Sequence, residues 1–131
     1  MSTHSRIGIE NPNGTITAVY CHFDGFVANN GTILRDHYFN VTKINELIEM
    51  GNLSSLGVNL NDSEFYGRDY DDPASSTRAI TFENRDHYCN EYSNGIEYAY
   101  VWNGIEWLVS EDGAEFVRIN EALTNSKEDT E

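Results

Sequence analysis

Cysteine and proline are scarce in this chain, with two of each among its 131 residues. Cys21 and Cys89 can form at most one disulfide, and because no secretory leader is recognisable, the sequence predicts two free thiols in a reducing compartment. No apolar run approaches the ~18 residues that a membrane span requires, and the N-terminal segment lacks the apolar core of a signal peptide. We therefore expect a cytoplasmic chain without membrane contact.

Basic residues are scarce as well. Eight Lys and Arg stand against 22 Asp and Glu, which gives a formal net charge of -14. The imbalance lies mainly after Val58, where five basic residues accompany seventeen acidic ones. Such a charge repels the phosphate backbone and argues against direct binding of DNA or RNA. It favours a positively charged partner instead.

The motifs of catalysis and metal binding are missing too. The ligand types of a zinc site occur at Cys21, His22, His87 and Cys89, but their spacing matches no known module. A nucleophilic cysteine needs a lowered thiol pKa, which the negative charge of the chain opposes. The acidic residues between positions 62 and 72 lack the loop pattern of a calcium site. We expect no enzymatic activity, no metal and no cofactor.

A first β-hairpin is predicted at the N-terminus. Residues 6–10 and 15–22 alternate in polarity on either side of Asn11-Pro-Asn-Gly14. Proline at the second position and glycine at the fourth favour a turn, so we expect a four-residue connection. Pairing Ile9 with Ile16 would place one set of side chains on a common face: Ile7, Ile9, Ile16, Ala18 and Tyr20.

A second hairpin is the clearest element of the sequence. Residues 96–102 and 105–110 flank Asn103-Gly104, the typical signal of a two-residue type I′ turn. This turn would pair Trp102 with Ile105 and Tyr100 with Trp107. The resulting register would gather four aromatic side chains on one face: Tyr98, Tyr100, Trp102 and Trp107. Residues 114–118 would add a third strand and complete a meander.

Helices are predicted at residues 32–38 and 42–50. Asn40 or Thr42 can cap the second helix, and Gly51 follows its last turn. A short strand at 79–82 and a short helix from Asn84 to Tyr92 come later. Residues 52–76 show little periodicity and are interpreted as a long loop, a partly ordered excursion or two short strands.

The predicted fold class is α+β. We expect a mostly antiparallel, twisted sheet, made of the N-terminal hairpin and the C-terminal three-strand meander, with two or three short helices on one face. A single domain would span residues 1–123. Residues 124–131 would form an acidic, disordered tail.

Three segments of the first half resemble a group of known proteins. They are Ser2-Thr-x-Ser-x-Ile-Gly-Ile9, Val19-Tyr-Cys-His-Phe-Asp-Gly25, and Leu47-Ile-x-x-Gly-x-Leu-Ser-Ser-Leu-Gly57. These segments resemble small acidic proteins of bacteriophages and other mobile elements, in which the aromatic-Cys-His-aromatic-Asp-Gly segment precedes a helix. The resemblance covers a little under half of the chain. It implies a phage-type protein that acts inside a bacterial host cell, and it implies no activity or catalytic residue.

Charge, size and resemblance together favour a non-enzymatic inhibitor or modulator. It would bind a basic surface of a host defence or nucleic-acid-processing protein, as anti-restriction and anti-CRISPR proteins do, with nucleic-acid mimicry as one route. The candidate partner-binding residues form two groups. The loop group is Asp62, Glu64, Tyr66, Asp69, Tyr70, Asp71 and Asp72. The meander group is Glu97, Glu106, Glu111, Asp112 and Glu115.

Two other interpretations of the same residues stay open at this point. The carboxylates can simply form a solvated surface that keeps a small protein soluble. Alternatively, the chain is a small binding or scaffold domain whose aromatic sheet face receives a peptide, a small ligand or a second copy of itself, which would make a homodimer.

Overall fold

The computed structural model describes residues 3–129, with side chains described through Thr124. The strands in this part of the chain are β1 Ser5–Glu10, β2 Ile16–Cys21, β3 Leu53–Ser55, β4 Glu64–Phe65, β5 Ile80–Phe82, β6 Tyr98–Trp102, β7 Trp107–Glu111 and β8 Val117–Arg118. The helices are α1 Thr32–His37, α2 Val41–Met50, α3 Tyr66–Tyr70, α4 Ala74–Thr77, α5 Arg85–Cys89 and α6 Ile119–Asp129. Tighter or wider helical turns occupy Val27–Gly31, Leu60–Asp62 and Asn90–Asn94.

The predicted α+β class is confirmed, but the sheet is mixed and has more strands than the hairpin and meander supplied. Its strand order is β4-β3-β2-β1-β6-β7-β8, and β5 also pairs with β2. The pairs β1–β6 and β2–β3 are parallel, whereas the other pairs are antiparallel. Parallel pairing needs a long crossover connection, and α1 and α2 provide one between β2 and β3. The alternation of polar and apolar residues within a strand does not show which distant strand will pair with it.

The register of the first hairpin differs from the prediction by one residue. Glu10 pairs with Ile16 and Ile7 pairs with Val19. The loop has three residues, because the Asn11 N–H donates to the Thr15 carbonyl at 2.7 Å and Gly14 takes a φ of +88°. A one-residue shift turns β2 over. The predicted common face is therefore wrong.

Both faces of the sheet are consequently buried. One face carries Ile7, Val19 and Cys21 and contributes to the main core, together with side chains of α1, α2 and α6. The opposite face carries Ile16 and Ala18, which pack in a second cluster formed with Phe82, Tyr88, Ala99 and Val101. Because Tyr88 belongs to α5, the expectation that the helices lie on one face is wrong for α5.

The second hairpin turns one residue later than predicted. The Asn103 N–H donates to the Glu106 carbonyl at 3.2 Å, so Gly104 and Ile105 occupy the centre of the turn. Positive φ occurs at Gly104 but not at Ile105, which excludes type I′ and fits a type II′ turn. Asn103 Oδ1 instead accepts the N–H groups of Ile105 and Glu106, each at 2.9 Å.

This shift moves the pairing by two residues, so the four aromatic side chains still share a face. Trp102 now pairs with Trp107, and Tyr100 with Val109. The face belongs to the main core, where the Trp107 Nε1–H donates to the Tyr38 carbonyl at 2.7 Å. The Tyr100 hydroxyl donates to the Gly25 carbonyl at 2.6 Å. The aromatic side chains therefore pack inside the protein and do not form a docking face.

The locally signalled helices form where they are expected. Asn40 Oδ1 accepts the Thr42 N–H at 2.8 Å at the start of α2, and Gly51 follows α2 with a φ of +86°. Asn84 caps α5 through the His87 N–H at 2.8 Å. Residues 52–76 contain both β3 and β4, as one of the three interpretations proposed, and also α3 and α4.

The C-terminal segment contains a shorter strand than predicted and a helix that the sequence analysis did not predict. β8 has two residues and α6 follows at once. The predicted acidic tail, 124–131, begins within α6, and residues 130 and 131 and the side chains from 125 onward lie outside the described residues. Within the described part of the chain, no helix combines the length and apolarity that a membrane crossing requires.

Candidate partner-binding surface

Most of the described basic side chains are engaged within the protein. Five arginines form ion pairs of 2.7–3.0 Å: Arg6 with Glu91, Arg35 with Asp36, Arg68 with Asp69, Arg85 with Glu10 and Arg118 with Glu106. Lys43 Nζ donates to the carbonyls of His37 and Val58 at 2.8 and 2.9 Å. Because these cations have internal partners, the remaining carboxylates set the sign of the surface potential.

The loop group lies at the β4 edge of the sheet, and part of it has a local structural role. Asp69 accepts hydrogen bonds from Arg68 and, at 2.8 Å, from the Phe65 N–H, and both bonds lower the pKa of this carboxyl group. Glu64 accepts the Tyr70 hydroxyl at 2.7 Å. These contacts order the turn between β4 and α3. Asp62, Asp71 and Asp72, like Glu64, are exposed and form no ion pair among the described side chains.

The meander group separates into two places. Glu106 lies at the turn of the β6–β7 hairpin and pairs with Arg118 at 3.0 Å. Glu97, Glu111 and Asp112 lie at the opposite, open end of the hairpin, where the Asp112 N–H donates to the Glu97 carbonyl at 2.8 Å. Glu111 also pairs across the strands with Tyr98. Glu115 follows on the connection to β8.

Three carboxylates at this open end surround Tyr98. Burial first, and then the charges of Glu111, Asp112 and Glu97, raise the pKa of Tyr98 to about 12. A phenol with such a pKa stays protonated at neutral pH. Glu111, Asp112 and Glu97 each contribute to this shift, so all three lie near one phenol, a proximity that the sequence could not show.

Tyr92 also lies at this open end of the hairpin, although it was not among the candidate residues. Its ring is half exposed and lies against Gly113, where an added Cβ would collide with the ring. Gly113 has a φ of +80°, and because it has no Cβ it leaves room for this close approach. Nothing in the local sequence links positions 92 and 113. We call Tyr92, Glu97, Glu111 and Asp112 the meander-end surface.

The two predicted groups do not form one continuous surface. β4 is at one end of the strand order and β8 is at the other, so the loop group and the meander-end surface lie at opposite ends of the sheet. A single flat partner can cover one of them. Both places combine carboxylates with a half-exposed aromatic ring, Tyr92 in one and Tyr70 in the other. They differ in that the Tyr70 hydroxyl already donates to Glu64.

A second constellation, also missed from the sequence, joins His4, Tyr20 and His22. The Tyr20 hydroxyl lies 3.0 Å from His4 Nδ1 and 2.7 Å from His22 Nδ1. His4 Nδ1 is also 2.9 Å from the His22 carbonyl, which can only accept, so His4 donates there. Burial, followed by Tyr66 and Cys21, raises the pKa of Tyr20. The cluster fastens the start of β1 to the end of β2, and its phenol stays neutral.

The residues considered for zinc lie apart from one another. Cys21 packs in the main core, whereas Cys89 is on α5 beside the second cluster, and both thiols are free. Burial raises the pKa of Cys21 to about 11. Burial and then Asp86 raise the pKa of Cys89. Within the described residues, no group of three His, Cys, Asp or Glu side chains is placed to hold a metal ion.

Comparisons with known proteins identify no counterpart of this fold or surface. No family model matches the chain, no curated protein matches it, and no solved structure matches it. The resemblance to phage and mobile-element proteins stays a prediction, and the function has to be inferred from the surface itself.

Proposed function

We propose that the protein is a non-enzymatic modulator that binds a basic surface of a partner protein through the meander-end surface. The observation that carries this proposal is that most of the basic side chains have partners within the protein, whereas several carboxylates do not form an ion pair. Six of the described cations have internal partners. Glu97 and Asp112 form no ion pair among the described side chains. A lysine- or arginine-rich partner would supply the missing counter-charges.

Tyr92 gives this surface an apolar anchor. Interfaces commonly owe much of their affinity to a few aromatic or arginine side chains surrounded by weaker polar contacts. Tyr92 is half exposed but is fixed from below by Gly113, so little side-chain entropy is lost when a partner covers it. The carboxylates around it would mainly accelerate association, and the ring would slow dissociation.

We also propose what kind of protein the partner is. The charge and the resemblance to phage proteins support a basic defence or nucleic-acid-processing protein in the cytoplasm of a bacterial host, with carboxylates that stand in for phosphates. Asp71 and Asp72 in the loop group would contact a partner large enough to reach the other end of the sheet. The alternative of a peptide- or self-binding aromatic face loses its support, because Tyr100, Trp102 and Trp107 are buried in the core and Tyr98 packs against it.

The test compares two neutralised variants of equal charge. Glu97→Gln with Asp112→Asn changes the meander-end surface, and Glu46→Gln with Glu49→Gln removes two exposed charges from α2. Proteins of a bacterial lysate are bound to the immobilised chain, with and without nuclease, and at about 0.1 M and about 1 M salt. Over this range the Debye length falls from about 10 Å to about 3 Å.

We expect the bound protein to be retained after nuclease treatment and released at high salt. The first variant should bind it roughly three- to tenfold more weakly, mostly through slower association, because exposed charge pairs contribute ~0.2–1 kcal/mol each. The α2 variant should bind nearly as well as the original chain. Capture that ignores salt, or that weakens equally in both variants, would contradict the proposal.

A further inference from the structure

A cleft of about 420 Å³ opens between α5 and the connection from β7 to β8. Its lining is Arg85, Asp86, Cys89, Gly113, Ala114, Glu115 and Phe116. One of these lining residues, Gly113, is also the residue against which Tyr92 of the meander-end surface packs. We propose that this cleft receives a single arginine side chain of the basic partner, an inference that rests on the proposed function.

The sign of the ligand follows from the way Arg85 is bound. Arg85 Nε donates to Glu10 Oε2 at 2.7 Å, and its Nη2 donates to Glu10 Oε1 at 2.9 Å. This bidentate pairing compensates the charge of the guanidinium with a carboxylate of β1. The attraction of Arg85 for an incoming anion is thereby weakened. Asp86 and Glu115 remain, and neither forms an ion pair within the described residues.

Asp86 and Glu115 belong to different walls of the cleft. Asp86 is on α5, and Glu115 is on the connection between β7 and β8. One planar guanidinium has five N–H donors and can bond to carboxylates on two sides, whereas a compact ammonium satisfies fewer directions at once. The two-walled arrangement favours arginine over lysine.

The aromatic lining is suited to the alkyl part of such a side chain. Phe116 is half-buried and stacks on Tyr88, with ring centroids 6.2 Å apart and planes inclined by 7°. Tyr88 is itself held by its hydroxyl, which donates to the Tyr100 carbonyl at 2.7 Å. The Arg85 guanidinium also lies over the Phe116 ring, with its Cζ 5.9 Å from the ring centroid. The lining is thus fixed before a ligand enters, and an incoming stem has to share this ring with Arg85. An apolar stem can pack on it while the charged head meets the carboxylates.

Cys89 provides a reporter inside the cleft. It is half-buried and lies among the lining residues, whereas Cys21 is completely buried in the main core. A neutral alkylating reagent should therefore modify Cys89 in the folded protein, and peptide mass spectrometry identifies the modified thiol. A ligand in the cleft should slow this reaction by covering the sulfur.

The probe is acetyl-Gly-Arg-Gly-amide, compared with its citrulline and lysine counterparts. Citrulline has nearly the shape of arginine but no charge. We expect saturable protection of Cys89 by the arginine peptide, weaker protection by lysine and none by citrulline. Asp86→Asn and Glu115→Gln should each weaken the protection about threefold, the factor expected for one exposed ion pair. Glu46→Gln should leave it unchanged, and near-ultraviolet circular dichroism verifies that each variant is folded.

The failure of this inference is distinguishable from failure of the proposed function. Equal protection by citrulline, stronger protection by lysine, or protection that survives both substitutions would overturn the arginine site. If Asp86→Asn with Glu115→Gln captured the lysate partner as tightly as the original chain, the cleft assignment would fail while the meander-end surface stood. If salt had no effect on capture, the proposed function would fail independently of Cys89.

Discussion

At the scale of single residues, the site depends on side chains that their local sequence does not identify as functional. Tyr92 follows a short helix and would pass for one more exposed aromatic residue. Its place is decided by Gly113, twenty-one positions later, whose missing Cβ lets the ring approach the backbone. A glycine with positive φ and a ring packed against it has two separate reasons to resist substitution.

Gly113→Ala should therefore destabilise the protein more than a substitution that meets only one of these obstacles. Gly95→Ala is the matched control, because Gly95 has a φ of +89° but no neighbour within 4 Å of an added Cβ. The control should lower the free energy of unfolding by ~1–2 kcal/mol, the usual left-handed strain. Gly113→Ala should lower it by at least ~1 kcal/mol more and should displace Tyr92. Equal losses in urea denaturation would show that the ring is not held there.

At the scale of elements, caps and cross-links decide whether short segments keep their shape. α2 is ten residues long, below the ~12–15 residues at which an isolated helix becomes even marginally stable. Its Asn40 cap and its apolar stripe in the core therefore both matter. α5 has five residues and depends on its Asn84 cap, on buried Tyr88 and on the Arg85–Glu10 pair to β1.

Removal of the α2 cap should cost about 1 kcal/mol of unfolding free energy. Asn40→Ala leaves the Thr42 N–H without its side-chain acceptor, and losses of ~0.5–2 kcal/mol are usual for such caps. Asn45→Ala changes the same residue type at an exposed position inside α2. This control should be neutral or slightly stabilising, because alanine is the better helix former. Thermal denaturation followed by circular dichroism checks both, and a harmless Asn40→Ala would contradict the capping role.

The Arg85–Glu10 pair should make stability depend on pH in a defined direction. The hydrogen bond from Arg85 lowers the pKa of Glu10 from its usual 4.5. Folded Glu10 thus binds a proton less readily than the unfolded chain does, so the pair stabilises the fold above pH 4.5. That stability is lost as the pH falls through the lowered pKa.

Glu10→Gln should accordingly reduce stability at neutral pH and flatten the acid limb of the stability profile. Glu46→Gln, on the exposed side of α2, controls for the loss of one negative charge. Urea denaturation between about pH 3 and 7 separates the two, since 4.5 lies inside that range. An acid limb of the same steepness in the Glu10→Gln variant would show that the pair does not contribute to pH dependence.

At the scale of the whole molecule, a net charge of -14 opposes the compact state. Like charges repel across the surface, and salt screens this repulsion. Salt also weakens the ion pairs, but four of the five are partly exposed and such pairs contribute only ~0.2–1 kcal/mol each. The fifth, Arg6–Glu91, is largely buried and is screened less. Repulsion among the excess acidic residues should therefore dominate the way in which the stability of the fold responds to salt.

The melting temperature should rise as sodium chloride increases from about 0.01 M to about 0.15 M, over which the Debye length falls from about 30 Å to about 8 Å. The variant Glu97→Gln with Asp112→Asn should show a smaller rise, because it starts with less repulsion. Both are measured by differential scanning calorimetry without any partner. A melting temperature that falls with salt would indicate that the ion pairs outweigh the repulsion.

The sequence alone determined whatever depends on neighbouring residues and on totals: the caps of α2 and α5, the existence of both hairpins, the shared face of Tyr98, Tyr100, Trp102 and Trp107, and the acidic excess. Tertiary structure decided the rest. The first register followed from a three-residue loop and the second from a two-residue turn that lies one residue later than predicted. The parallel β1–β6 pair joins segments more than eighty positions apart. The meander-end surface and the ion pairs Arg6–Glu91 and Arg85–Glu10 exist only because distant segments meet. The pattern of side chains within one segment does not show which segment packs against it.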